Sequence, residues 1–161
     1  MAFVQPGLSQ IGENKDQLSK KYGVCSPDLP PRPQGPNAYD SVLDVGDLCY
    51  FHHGGLRITA FFKGGRAEAF FYHKKKAFSG KAYPYAELTD GEIASLLRVA
   101  MPHAEWISVS SAPPIRRWRT SDSSVFAYYF AAGPKNRYSL LVQTAAVDAV
   151  YRKVDRDSVS R

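Results

Sequence analysis

Two glycine pairs, Gly54-Gly55 and Gly64-Gly65, bracket the eight residues from Leu56 to Lys63, a stretch in which apolar and polar side chains largely alternate. Gly-Gly suits the two-residue loop of a tight hairpin, because both positions must adopt a backbone that other residues resist. The chain from Leu48 to His73 therefore reads as an antiparallel three-stranded meander. Centring the pairing on the first turn sets His53 opposite Leu56, Phe51 opposite Ile58 and Cys49 opposite Ala60. The second turn sets Phe62 opposite Ala67, Ala60 opposite Ala69 and Ile58 opposite Phe71. Side chains alternate across a strand with period two, so one face collects Cys49, Phe51, His53, Leu56, Ile58, Ala60, Phe62, Ala67, Ala69 and Phe71. That is the expected core face. The opposite face collects Leu48, Tyr50, His52, Arg57, Thr59, Phe61, Lys63, Arg66, Glu68, Phe70 and Tyr72, and on it Tyr50, His52, Arg57, Phe61, Lys63, Arg66, Phe70 and Tyr72 make an aromatic surface interleaved with bases.

Helices are marked by their caps. Asn14 to Gln17 has capping-box spacing, Leu18 and Tyr22 form an i, i+4 apolar pair, and Gly23 stands where a helix ends. Thr89-x-x-Glu92 is a second capping box, followed by Ile93, Leu96, Leu97 and Ala100 on one stripe before Pro102. Further strand candidates are Trp106–Ser110, Arg116–Thr120, Ser124–Ala132 and Tyr138–Thr144, separated by Ala-Pro-Pro, Ser-Asp-Ser and Gly-Pro-Lys-Asn turns. The expected fold is α+β: antiparallel sheet with two packed helices, in the order helix, three strands, helix, three or four strands, so that a helix followed by three strands occurs twice. No residue-level repeat accompanies that doubling. Residues 1–147 read as a single domain. Within it, residues 26–36 hold five prolines, which forbid helix or central strand and make an extended connector. Residues 148–161 read as a charged tail, a frayed helix or disorder.

Size and composition narrow the classes. At 161 residues with 44% hydrophobic content, one domain buries an adequate core without metals or several disulfides. The longest apolar run, Val125 to Ala132, is eight residues, far short of the roughly 20 that a helical membrane span needs. The first residues, Met1 to Gly7, show neither the basic nor the apolar region of a signal peptide, which leaves exported and cytoplasmic settings both open. Cys25 and Cys49 have no C-x-x-C or zinc spacing. In an oxidising compartment they can close a loop; in the cytosol they are small apolar side chains. The net charge of +6 is uneven, with seven bases and one acid between Arg57 and Lys81.

No catalytic signature is present: G-x-S-x-G, G-x-x-x-x-G-K, H-E-x-x-H and G-x-G-x-x-G are all missing. Cys49, His52, His53 and His73 invite a metal reading. Strand spacing argues against it, since same-face neighbours two apart are about 6.6 Å distant and alternate strands about 9–10 Å. No metal and no cofactor is therefore expected. Aromatic rings between bases on a sheet suit protein contact, where Tyr, Phe and Arg are enriched, or stacking of single-stranded nucleic acid. No ribonucleoprotein-type or KH signature accompanies the surface. The chain's own second half, with Trp106, Trp118, Phe126, Tyr128 and Phe130, is a third candidate to cover it.

The order of these signals resembles a known group. Leu18 to Tyr22-Gly23, a strand, the hairpin Leu56-x-Ile58-x-x-Phe61-Phe62-Lys63-Gly64-Gly65-Arg66-Ala67-Glu68 and then Leu88-Thr89-x-x-Glu92-Ile93 resemble the small exported bacterial modules of the SmpA/OmlA type, with their β-lactamase-inhibitor-protein-like fold. Leu96-Leu97, Trp106 and Arg119-Thr120-Ser121-Asp122 are similar to a segment of other exported bacterial proteins. The resemblance covers most of residues 9 to 144. It departs where Tyr22-Gly23-Val24-Cys25 replaces Tyr-Gly-x-Pro, and in having no lipoprotein cysteine. It implies helices on antiparallel sheet, no catalysis, and contact with another protein or subunit at the bacterial cell envelope, in the periplasm or outside. Binding of single-stranded nucleic acid by the aromatic and basic face is the alternative.

Overall fold

The structure, a computed structural model, describes residues 10–26, 48–75, 85–111, 113–131 and 138–159. Most of the proline-rich connector 26–36 and the bases Lys76 and Lys81 lie outside them. Gly54, Gly55, Gly64 and Gly65 all have positive φ, between 55° and 77°, the left-handed backbone that a two-residue hairpin demands. These turns join β1 (Leu48–His53), β2 (Leu56–Lys63) and β3 (Arg66–Lys75). The β1/β2 register is the expected one, with His53 opposite Leu56, Phe51 opposite Ile58 and Cys49 opposite Ala60.

In β3 the register changes. Phe62 pairs with Ala67, but Phe61 pairs with Ala69, so Glu68 is an extra residue that no residue of β2 opposes. A bulge of one residue sends every later side chain to the other face. Ala60 is thus opposite Phe70 and Ile58 opposite Tyr72, where Ala69 and Phe71 were expected. This corrects the reading of the outer face. Phe70 and Tyr72, both 0% exposed, belong to the core with Leu18, Ile58, Ile93 and Leu97, while Ala69 and Phe71 belong to the cluster on the other side. Tyr72 donates its hydroxyl hydrogen to the buried Gln10 side chain. The adjacent rings of Phe70-Phe71-Tyr72 alternate equally well in either phase, and a local pattern cannot choose between them.

The remaining elements are α1 (Lys15–Tyr22), β4 (Tyr85–Ala86), α2 (Asp90–Ala100), β5 (Trp106–Ser110), β6 (Ile115–Thr120), β7 (Val125–Phe130), β8 (Ser139–Thr144) and α3 (Ala145–Val159). All strands join one antiparallel sheet in the order β1-β2-β3-β8-β7-β6-β5, with β4 paired to β3. The α+β class with antiparallel sheet is thus as expected. Four strands follow α2, within the expected three or four, without a doubled helix-and-three-strand unit; the last of them, β8, returns beside β3 to join the halves.

Both capping boxes form. Asn14 and Gln17 exchange backbone-to-side-chain bonds of 2.9 Å, and Thr89 and Glu92 bonds of 2.8 and 3.2 Å. Helices α1 and α2 cover one sheet face, where Leu18, Leu88, Ile93, Leu96, Leu97 and Ala100 meet the inward side chains of the strands. Helix α3 packs on the other. Its first turn buries Val147 and Asp148, so packing continues beyond residue 147, where the charged tail was expected to begin. Asp148, 2% exposed, accepts from the Tyr128 hydroxyl, from Gln143 Nε2 at 3.0 Å, and from Arg152 Nε at 2.7 Å. Burial and this carboxylate push the Tyr128 hydroxyl up to about 12.

Cys25 and Cys49 are disulfide-bonded across 24 residues, and Ser26 bridges to Tyr50 beside them. The bond ties the segment after α1 to the edge strand β1. None of the described helices is long and apolar enough to cross a membrane.

The two registers of β3 predict opposite mutational orders. Phe70→Ala should cost about 3–5 kcal/mol, as core Phe truncations do, and Phe71→Ala, half-buried, clearly less. Urea unfolding of both variants measures this, and the reverse order would reinstate a regular, bulge-free hairpin. Reduction of the Cys25–Cys49 bond should lower stability by about 3 kcal/mol by loop entropy, read from urea midpoints with and without reductant.

Candidate interaction face

The bulge at Glu68 composes the surface opposite α1 and α2. Over β1 to β3 it carries Tyr50 and His52 from β1, Arg57 and Phe61 from β2, and Phe71, His73 and Lys75 from β3. Strand β4 adds Tyr85, which is opposite Lys75. Helix α3 lies over β7 and β8, where Arg152 is 4.9 Å from the Phe126 ring centre. Among the described residues, no helix covers the β1 to β3 half.

Contacts link these side chains into one run. The Arg57 guanidinium lies 4.4 Å from the centre of the Tyr50 ring, a cation–π distance, and donates a 2.6 Å hydrogen bond to the Tyr85 hydroxyl. The Tyr85 ring stands 4.2 Å from that of His73. His73 stacks on Phe71 at 6.1 Å, and Phe71 meets the edge of Phe61 at 5.8 Å. Cation, phenol, imidazole and phenyl rings thus form a continuous strip.

Electrostatics keeps the middle of this strip neutral. Burial, and then the nearby Arg57 charge, push the His73 imidazole down to about 4, and its buried Nδ1 has no hydrogen-bond partner among the described residues. His52 is also lowered, by partial desolvation first and then by Lys75 and Arg57. At neutral pH the face is therefore aromatic at its centre, with positive charge at Arg57 and Lys75.

Of the residues expected on this face, Tyr50, His52, Arg57 and Phe61 are brought together. Lys63 and Arg66 lie exposed at the far hairpin tip, where Arg66 donates to the Gly12 carbonyl. Phe70 and Tyr72 are core residues. Phe71, His73 and Tyr85 were missed, the first two because the bulge inverts their face, the third because β4 is only two residues long. His53, on the expected core face, meets the edge of the Tyr22 ring at 5.3 Å. No group of three potential ligands close enough to hold a metal ion occurs among the described residues.

Comparisons with protein-family models, with curated proteins and with solved structures found no match to this chain.

The lowered His73 predicts a specific acid sensitivity. The unfolded chain takes up this proton near 6.5 and the folded chain only near about 4. Stability is therefore full above about 6.5, falls as pH drops through that window, and levels off below it, by at most about 3 kcal/mol. In His73→Phe this part of the acid limb should vanish. Urea unfolding from pH 7 to pH 4 should show wild type losing stability relative to the variant by up to that amount; parallel curves would show that His73 titrates normally.

Proposed function

We propose that the chain is a non-catalytic protein-interaction module, an accessory subunit that works at the bacterial cell envelope and meets its partner with the Tyr50–Arg57–Tyr85–His73–Phe71–Phe61 strip. The observation that carries this reading is the strip itself: six side chains in a continuous run of contacts on the half of the sheet face that no described helix covers. Aromatic residues and arginine supply most of the binding energy at protein interfaces, because they bury large rigid surfaces at small entropic cost. Arg57 and Tyr85 are also held by each other before any partner arrives, so fewer rotamers remain to be frozen on binding.

The Cys25–Cys49 bond supports a setting outside the reducing cytosol, where such bonds persist. The likeness of the hairpin and capping motifs to the SmpA/OmlA-type modules supports the envelope and a role without catalysis. The protein reading is preferred over single-stranded nucleic acid because the cation at the centre of the strip is already engaged. Arg57 lies on Tyr50 and holds Tyr85, while His73 is neutral at pH 7. A nucleic-acid face needs cations that are available to neutralise phosphates.

The test uses the oxidised full chain and the double variant Arg57→Glu with Phe71→Ser, both positions being partly exposed. Chemical crosslinking in an envelope extract should yield a discrete adduct with the wild type and lose it with the variant, the thermal transition remaining cooperative. An adduct unchanged in the variant would exclude this face. Titration with single-stranded oligonucleotides at low salt should show no binding, and a steeply salt-dependent affinity would favour the alternative.

A further inference from the structure

A second surface lies at the opposite edge of the sheet. Strand β5 is last in the sheet order, and its outer side is paired with no described strand. In the β5/β6 ladder, Glu105 accepts from Ser121, so Ile107 opposite Arg119 is also a hydrogen-bonded pair. Trp106 and Ser108 therefore point their N–H and C=O groups outward. The same two residues turn their side chains into a cavity of about 420 Å³ between α2 and the edge, lined also by Ile93, Leu97, Arg116 and Trp118. The Trp106 indole is fixed by donating to the Leu97 carbonyl, and Arg116 lies 4.9 Å over the Trp118 ring while paired with Asp90 at 2.7 Å.

We infer that the β5 edge and this groove form a docking site for an extended acidic peptide segment of another protein, added as a strand beside β5. Strand addition takes its affinity from main-chain bonds and its specificity from alternate side chains. One set of alternate side chains, aromatic or aliphatic, enters the groove against Trp106 and Trp118. The other set lies on the far face beside Ile107, within reach of Arg117 and Arg119.

Charge selects the acidic peptide. Strands β5 and β6 together carry three arginines and no acidic residue. Arg117 is exposed, and no described acid pairs with it. A second copy of this chain is disfavoured twice over. Pairing β5 with β5 would bring these arginines together in two chains of charge +6 each. The register also shifts between Ser108 and Ser110, leaving Val109 57% exposed, and such a bulge stops an edge from extending into a long intermolecular ladder. A short segment fits before the bulge.

The site is separate from the Tyr50–Phe61 strip, so its test is independent of the proposed function. The oxidised, amide-labelled full chain is titrated with a synthetic hexapeptide alternating Glu with Tyr, and with its counterpart alternating Lys with Tyr. The Glu peptide should shift the amides of Trp106 and Ser108, weaken with salt, and bind at least tenfold more tightly than the Lys peptide. Ser108→Pro should abolish binding while keeping the β5/β6 ladder, because the lost N–H faces outward. Arg117→Glu should weaken the Glu peptide and strengthen the Lys peptide, which tests the site even if the proline variant unfolds. Equal binding of the two peptides, shifts confined to the Tyr50–Tyr85 region, or no binding at millimolar peptide would overturn the inference. A dimer in sedimentation that Ser108→Pro dissociates would equally overturn it, by assigning the edge to a second copy.

Discussion

Glu68 is the residue that β3 has in excess of β2, and its carboxylate accepts a 2.5 Å hydrogen bond from the Thr144 hydroxyl at the end of β8. Directly before it, Ala67 exchanges two backbone bonds of 2.8 Å with Gly12 and Glu13. Directly after it, Ala69 begins the ladder with β8 opposite Gln143. The bulge thus stands where β3 changes neighbours, from the N-terminal segment to the strand that joins the halves. Its phase shift buries Phe70 and Tyr72 under α1 and α2 and delivers Phe71 and His73 to the other face. Core and candidate interaction face are consequences of the same inserted residue.

Strands β7 and β8 are covered on both sides, by α2 and α3, and that explains their composition. Ala69 and Leu141 are as fully buried on one face as Phe70, Leu140 and Val142 are on the other. Asp148 collects Tyr128, Gln143 and Arg152, which holds the first turns of α3 on β7 and β8. Truncating such a buried carboxylate leaves its donors unsatisfied, so a helix start that reads as a solvated tail is part of the packed domain.

The two outer edges are managed differently. At β1, the Cys25–Cys49 bond and the Ser26–Tyr50 bridge fasten a covering segment in place. At β5, the described protection is a bulge at Val109 and the arginines of β6. One edge is closed covalently; the other keeps outward donors and acceptors beside a groove with two tryptophans. Contact surfaces on opposite edges and faces suit a subunit that joins more than one neighbour, in keeping with the proposed accessory role.

Much of the architecture follows from local chemistry. The four turn glycines, the capping boxes at Asn14 and Thr89 and the stripe from Ile93 to Ala100 act over a few residues, and each appears in the structure where the residues place it. The β1/β2 register follows for the same reason, since a two-residue turn aligns its flanking strands. What required the folded chain is longer in range. The choice between two phases of Phe70-Phe71-Tyr72 is made by packing against helices whose residues lie far away in sequence. The return of β8 to β3, the burial of Asp148 against a tyrosine 20 residues earlier, and the meeting of Tyr85 with Arg57 are likewise decided by contacts across the sheet. Sequence alone determined that an aromatic and basic sheet face exists; only the tertiary structure decided which rings stand on it, because one extra residue in an antiparallel pair inverts everything that follows.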